Sequence, residues 1–246
     1  MKQRISALML AVTPTFRWVA ALLAAATALE YCLFRRAMHI ANTGFTEGEV
    51  IPAFEQIMES VRPDLVLGGV FLLFCALFLL TGCEQKGGKL AYTLRRLSVD
   101  EREIHISWAI YYTLCFVLLA LWQVGVYFLL YHLYAASPFG EGLSPSAWFL
   151  TAYRNDLLHS LFPLHDIPRH LRNALIYPCL GLSCSAFSLH LRRGRRSWAP
   201  LFLIALTALT FVRNPGNSAM DIFTLVYTAW LTAIALRHTW RDPDAE

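Results

Sequence analysis

Apolar residues fall along this chain in long unbroken runs, not in the period-two alternation of strands or the one-sided stripe of surface helices. A helix crossing a ~30 Å hydrocarbon core needs roughly 20 apolar residues at 1.5 Å rise each. Six runs approach that length, at about 18–34, 65–82, 107–132, 173–190, 199–212 and 219–236. The second is the plainest, because Leu65 to Cys83 carries no charge. The third is long enough to require tilt or protrusion. Pro178 and Gly181 predict a kink in the fourth. The fifth is short and is bounded by Trp198 and Arg213. The pattern predicts an all-α, polytopic integral membrane protein with six transmembrane helices in a single domain over 1–246. A polar connection covers 83–106, and a longer one, read as an outer interfacial segment, covers 133–172.

Composition agrees with that reading. Hydrophobic residues are 57% and charged residues 15% of the chain, against about 45–50% and 25% in soluble proteins. Mean hydropathy is +0.46. These values exclude a disordered chain, a coiled coil and an ordinary soluble enzyme. The net charge of +4 does not imply nucleic acid, since the bases lie between apolar runs. They set topology instead. With six spans and the N terminus inside, inner segments hold fourteen of the 21 Lys and Arg residues. That bias puts both termini in the cytoplasm. Arg35-Arg36, at the outer end of the first span, runs against it. The first residues resemble a signal peptide (Lys2, Arg4, an apolar stretch, then alanines), but Pro14 and Arg17 interrupt the apolar stretch, and a retained first span is expected. The six cysteines lie in or beside apolar runs without zinc spacing, and read as small buried side chains.

The connection Glu84–His105 is the most informative. Gly87-Gly88 breaks the chain after the second span. Leu90, Leu94 and Leu97 then mark one helical face, with Lys89, Arg95 and Arg96 off it. Ser98-Val-Asp-Glu101 has the capping-box pattern and starts a helix that runs into the third span. Asp100, Glu101 and Glu103 suit the positive end of that helix. The short basic helix over 89–97 fits two uses: lying on lipid phosphates or docking into a groove of a cytoplasmic partner. Pattern alone favours the first.

Gly88-Lys-Leu-Ala-Tyr-Thr-Leu-Arg-Arg-Leu97 resembles the loop after the second span in six-span permeases of bacterial ABC-2 type exporters. Tyr153-Arg-Asn-Asp-Leu-Leu-His-Ser-Leu-Phe-Pro-Leu164 resembles another stretch of those proteins. The likeness covers the rest of the chain loosely. Family members often carry proline where Ser98 stands, so the helix break here uses a different device. The resemblance implies a cytoplasmic coupling helix at Lys89–Leu97 that contacts a separate ATP-binding subunit. Its contacts would be Lys89, Tyr92, Leu94, Arg95, Arg96, Leu97 and Asp100. It also implies a second permease subunit, identical or not, a bacterial plasma-membrane location, and ATP and magnesium held by the partner, with no cofactor on this chain. Consistent with that, Gly82-Cys-Glu-Gln-Lys-Gly-Gly-Lys-Leu90 is no Walker A loop. One residue too many separates Gly82 from Gly88-Lys89, and Leu90 replaces the hydroxyl that would hold magnesium.

The outer segment gathers His132, His159, His165 and His170 near Asp156 and Asp166. His and Asp ligate metals, so an intramembrane metal-dependent enzyme is one alternative function. HExxH is absent, and the spacing of His159 and His165, with Pro163 between, shares no helical face. A solvated or interfacial loop is the expectation. Ser146–Phe162 reads as an amphipathic helix whose membrane face is Trp148, Phe149, Tyr153, Leu157, Leu158 and Phe162. Within the spans, Glu30, Gln123 and Asp221 are the costly groups. They suit either a proton or substrate path or interhelical hydrogen bonds. Arg35 and Arg36 lie within pairing reach of Glu30 along the helix, and Arg213 lies near Asp221. Ser183 lacks a nucleophile-elbow context. The expected function is an ABC-type permease, with a non-catalytic membrane scaffold or sensor as the other alternative.

Overall fold

A computed structural model describes residues 2–43, 53–81, 101–140, 147–162, 166–192, 197–212 and 218–240. All regular structure among them is helical: α1 (Lys2–Thr43), α2 (Phe54–Val61), α3 (Pro63–Leu80), α4 (Glu101–Ala135), a 3₁₀ turn (Pro138–Gly140), α5 (Ala147–Arg154), α6 (Asp156–Leu161), α7 (Ile167–Arg192), α8 (Ala199–Val212) and α9 (Ser218–Trp240). Five of these, α1, α3, α4, α7 and α9, are long and apolar enough to cross a membrane. The fifth run of the sequence forms α8 over its expected residues, but its 14 residues reach only about 21 Å, short of the ~30 Å core.

The side-chain contacts fix the direction of each long helix. Thr15 meets Tyr111 at 2.9 Å, Trp122 donates to Thr27 at 2.9 Å, and Gln123 donates to Glu30 at 3.3 Å. Both numbers rise together, so α1 and α4 are parallel. Phe71 and Phe78 pack on Phe116 and Tyr112 of α4 in reverse order, so α3 is antiparallel to it. His105 meets Ser185 at 2.7 Å, and Ala109 and Thr113 meet Gly181, so α7 is antiparallel to α4 as well. Arg172 pairs with Asp221 near the start of α7 and α9, and His190 donates to the Ala235 carbonyl at 3.2 Å near their other ends. These two helices are therefore parallel. The polypeptide must return from the His190 end to the Asp221 end between them, and α8 lies on that return. Its last turn brings Phe211 to 6.0 Å from the Arg172 guanidinium.

In lipid, apolar burial between helices gives little driving force, so close packing and internal hydrogen bonds hold such a bundle together. Two examples carry the point. Phe78 stacks on Tyr112 with ring centres 4.5 Å apart. Gly181 has Thr113 Oγ1 and the Ala109 carbonyl where a Cβ would be only 2.2 and 2.5 Å away, so α7 approaches α4 at a point that admits no side chain. Hydroxyls in the helices back-bond to their own chain, as Thr207 does to Leu203 at 2.8 Å. A second apolar cluster lies under α2, where Phe54 contacts Phe34 and the rings of Tyr127, Tyr131 and Tyr134. Arg62, at φ 54°, turns the chain from α2 directly into α3, and Pro63 takes the first helical position.

Two expectations need correction. The first helix is not confined to 18–34: α1 runs from Lys2 to Thr43 through Pro14, a length of about 60 Å. Arg17, Arg35 and Arg36 are exposed on its surface, so they do not end it. The amphipathic segment 146–162 is not one helix. Asn155 leaves the helical conformation, and its side chain accepts the Leu158 N–H at 3.1 Å, capping α6 and separating it from α5. Trp148, Phe149, Tyr153 and Phe162 are exposed as expected, whereas Leu157 and Leu158 are buried in the bundle.

Candidate functional site

The densest buried polar cluster joins α6, α7 and α9 at one end of the bundle. Arg172 is fully buried, at 0% exposure. Its Nη1 donates to Asp221 Oδ1, and Arg169 Nε lies 3.5 Å from Asp221 Oδ2. Arg169 also reaches Asp166 at 3.5 Å and His159 Nδ1 at 3.0 Å. An arginine offers only donors, so the His159 nitrogen accepts. Among the described residues, two arginines thus face two carboxylates, one of them buried and one half exposed, and these charges balance. An unbalanced cation at this depth would be expensive.

From this ion pair a chain of hydrogen bonds runs to α6. Arg172 Nε and Nη2 donate to the Asn173 side-chain carbonyl at 3.1 and 2.9 Å. That contact orients the amide so that Asn173 Nδ2 donates to the Ser160 and Leu161 carbonyls at 2.7 and 3.0 Å. The last carbonyls of a helix lack partners within it. Asn173 supplies them, and so fastens α6 to α7. Sequence reading singled out Asp221 and His159 but missed Arg169, Arg172 and Asn173. The available signal was Arg169-x-x-Arg172-Asn173 at the mouth of an apolar run, where charge demands a partner.

Below α6 lies an apolar cavity bounded by α3, α4, α7 and α8. Its interior volume is about 40 Å³. Leu67, Phe71, Phe116, Leu180 and Phe211 line it, with Leu157 and Leu161 of α6 as its roof. A second apolar cleft of about 220 Å³ lies between α4 and the α5–α6 pair, lined by Phe128, Trp148, Phe149 and Phe162 among others.

The structure brings together two of the three polar groups expected inside the spans. Glu30 and Gln123 are both buried and meet across α1 and α4. Gln123, not Arg35 or Arg36, is the partner of Glu30, because both arginines are exposed. Glu30 Oε1 and Gln123 Oε1 have no hydrogen-bond partner among the described residues. Asp221 pairs with Arg169 and Arg172 of α7; Arg213, its expected neighbour, lies outside the described residues. The coupling segment with Lys89, Tyr92, Leu94, Arg95, Arg96, Leu97 and Asp100 also lies outside them, as does His165. His132 and His170 are exposed. Among the described residues no three His, Cys, Asp or Glu side chains gather as a metal site would require.

The sequence matches no protein-family model, and comparison with curated proteins and with solved structures found no match. What stands is an all-helical, membrane-embedded architecture with a balanced ionic cluster at one end.

Proposed function

We propose that this chain is the transmembrane permease subunit of an ABC-2 type exporter, driven by a separate ATP-binding subunit. In this reading it crosses a bacterial plasma membrane six times, with both termini and the 83–106 connection in the cytoplasm. A second permease subunit completes the transporter. ATP hydrolysis on the partner pushes the helix at 89–97, and the spans tilt to open a path to the other side.

One observation carries the reading. The basic, amphipathic stretch Lys89–Leu97 joins α3 to α4 at the same end of the bundle as His190 and Ala235. Arg192, Arg193, Arg195 and Arg196 cluster beside that end along the chain. The sequence Lys89–Leu97 lies outside the described residues, but a basic connection between two spans at the cation-rich end suits the push of a cytoplasmic motor. The six-span form is supported by the parallel pairing of α7 and α9, which requires a return pass that α8 supplies. The short α8 reaches the bilayer faces if the membrane thins locally or if flanking residues complete it.

The test is a mild-detergent purification from the native membrane. A P-loop ATPase is expected to co-purify in stoichiometric amount and to be released by Arg95→Glu with Arg96→Glu. A non-catalytic scaffold would retain some other partner and show no ATPase. An enzyme built on the histidines would keep its activity after the loop change and lose it on His159→Ala or His165→Ala.

A further inference from the structure

We propose that Glu30 of α1 and Gln123 of α4 form a reversible proton-binding site, in which Glu30 holds one proton as a neutral acid paired with the Gln123 amide. The site is independent of whether the chain works with an ATPase.

Both side chains are inaccessible, at 0% and 1% exposure. Their one contact is the Gln123 amide donating to Glu30 Oε2 at 3.3 Å. Glu30 Oε1 and Gln123 Oε1 are buried without a hydrogen-bond partner among the described residues. Both orphans are acceptors, so what the pair lacks is a hydrogen. A buried carboxylate with no cation beside it is expensive, and a proton removes the charge. The neighbouring groups offer no cation. On α1 itself Tyr31, Cys32, Arg35, Arg36 and His39 are exposed. On α2, which packs against α1, Glu55 has Arg154 at 4.0 Å and Glu59 is exposed. On α3, Asp64 has Arg62 at 3.5 Å. On α4, the Tyr127 phenol donates to the Thr151 carbonyl at 3.0 Å, and the Tyr131 ring packs on Phe54. Among the described residues none of these forms an ion pair or hydrogen bond with Glu30.

One proton answers both orphans. As an acid, Glu30 donates its O–H to Gln123 Oε1, while its carbonyl oxygen accepts the Gln123 N–H. Acid and amide then form a doubly bonded pair of neutral groups. A metal ion suits the site less. Such ions take about six oxygen ligands, and the nearby Thr27 hydroxyl is already spent on the Leu23 carbonyl and the Trp122 indole N–H. A water molecule bridging the same two oxygens would leave the charge in place. The Trp122–Thr27 bond ties α4 to α1 without Glu30, so the helices stay joined when the proton leaves.

Infrared difference spectra of the full chain in lipid nanodiscs, parent against Glu30→Gln, test the site. At about pH 6 an ordinary glutamate, with a pKa of about 4.3, is ionised. The parent is expected to show the carbonyl band of a protonated carboxylic acid at that pH, sensitive to exchange into heavy water and absent from Glu30→Gln. The band should fade as the pH is raised to about 10, above the range in which ordinary carboxylates titrate. The native chain then holds a proton that the unfolded chain releases, so the parent's thermal midpoint should fall relative to Glu30→Gln over the same range. Should Glu30→Gln fail to fold, Gln123→Leu assigns the band, because loss of the N–H on the acid carbonyl moves it to higher frequency. A parent without the band would overturn the proposal and make Glu30 a carboxylate held by water. A band that persists unchanged through the whole range, with a constant midpoint difference, would also overturn it, since that proton would never leave.

Discussion

Arg172 of α7 and Asp221 of α9 form a buried ion pair whose two members are 49 residues apart in the chain and nearly inaccessible in the fold. Asp221 is shared with Arg169, whereas Arg172 has no second carboxylate among the described residues. The pair is therefore asymmetric. Asp221→Leu strands Arg172 and leaves Arg169 with the half-exposed Asp166 as its one carboxylate among the described residues, so a loss of about 3–5 kcal/mol is expected. Arg172→Leu leaves Asp221 compensated by Arg169 and should cost less. Thermal unfolding in detergent, followed by tryptophan fluorescence, measures both. Equal losses would mean that Arg169 does not share the carboxylate.

Asn173 links that pair to α6 by donating to two carbonyls at the end of the short helix. Asn173→Ala removes both bonds and frees the Arg172 guanidinium from its second partner. Hydrogen exchange at Leu158–Phe162 should quicken by an order of magnitude or more, at about 1–3 kcal/mol for a lost buried hydrogen-bond set. Exchange in the middle of α4 should not change.

Gly181 and Gly125 give a matched comparison within the spans. A Cβ at Gly181 meets the Ala109 backbone carbonyl at 2.5 Å, while one at Gly125 meets nothing within 4 Å. Gly181→Ala is expected to destabilise by about 1–3 kcal/mol, because backbone cannot yield as a flexible side chain does. Gly125→Ala should be neutral or stabilise by up to about 1 kcal/mol through helix propensity. The two thermal midpoints, measured side by side, check the close approach of α4 and α7.

Glu30 and Gln123 separate a structural from a transport role. Glu30→Gln keeps an amide able to bond Gln123, and stability within about 1 kcal/mol of the parent is expected. Gln123→Leu leaves the carboxyl of Glu30 buried without its partner and should cost about 1–3 kcal/mol. If Glu30→Gln is as damaging as Gln123→Leu, the pair does more than tie α1 to α4.

The six-span reading is checked by accessibility. In a cysteine-free background, Gly194→Cys and Gly216→Cys flank α8. A membrane-impermeant maleimide applied to intact cells should label Gly216→Cys and spare Gly194→Cys until the cells are opened. Labelling of both from one side would reduce α8 to a re-entrant helix and the protein to five spans.

The sequence made the helices legible because a bilayer demands long apolar runs, and α3, α8 and α9 fall within a few residues of the runs that predict them. It was less informative about ends. Nothing in the apolar pattern extends α1 to Lys2 and Thr43, since exposed arginines tolerated on a protruding helix look the same as a helix boundary. The break at Asn155 was present as an Asn-Asp cap signal, but the aromatic stripe from Trp148 to Phe162 ran across it and masked it. Partners were the least legible. Arg35, Arg36 and Arg213 are near Glu30 and Asp221 in the chain, whereas Gln123, Arg169 and Arg172 are near them in the fold. Pairing between helices depends on the bundle's directions, which no local pattern encodes.

The central claim is that Lys89–Leu97 transmits force from a separate ATPase. Purification of the complex in mild detergent, comparing the parent with Arg95→Glu/Arg96→Glu at matched thermal stability, tests it most directly. The account predicts a stoichiometric P-loop ATPase with the parent and its loss from the variant. A parent that purifies without any ATPase, or a variant that retains it in full, would contradict the account.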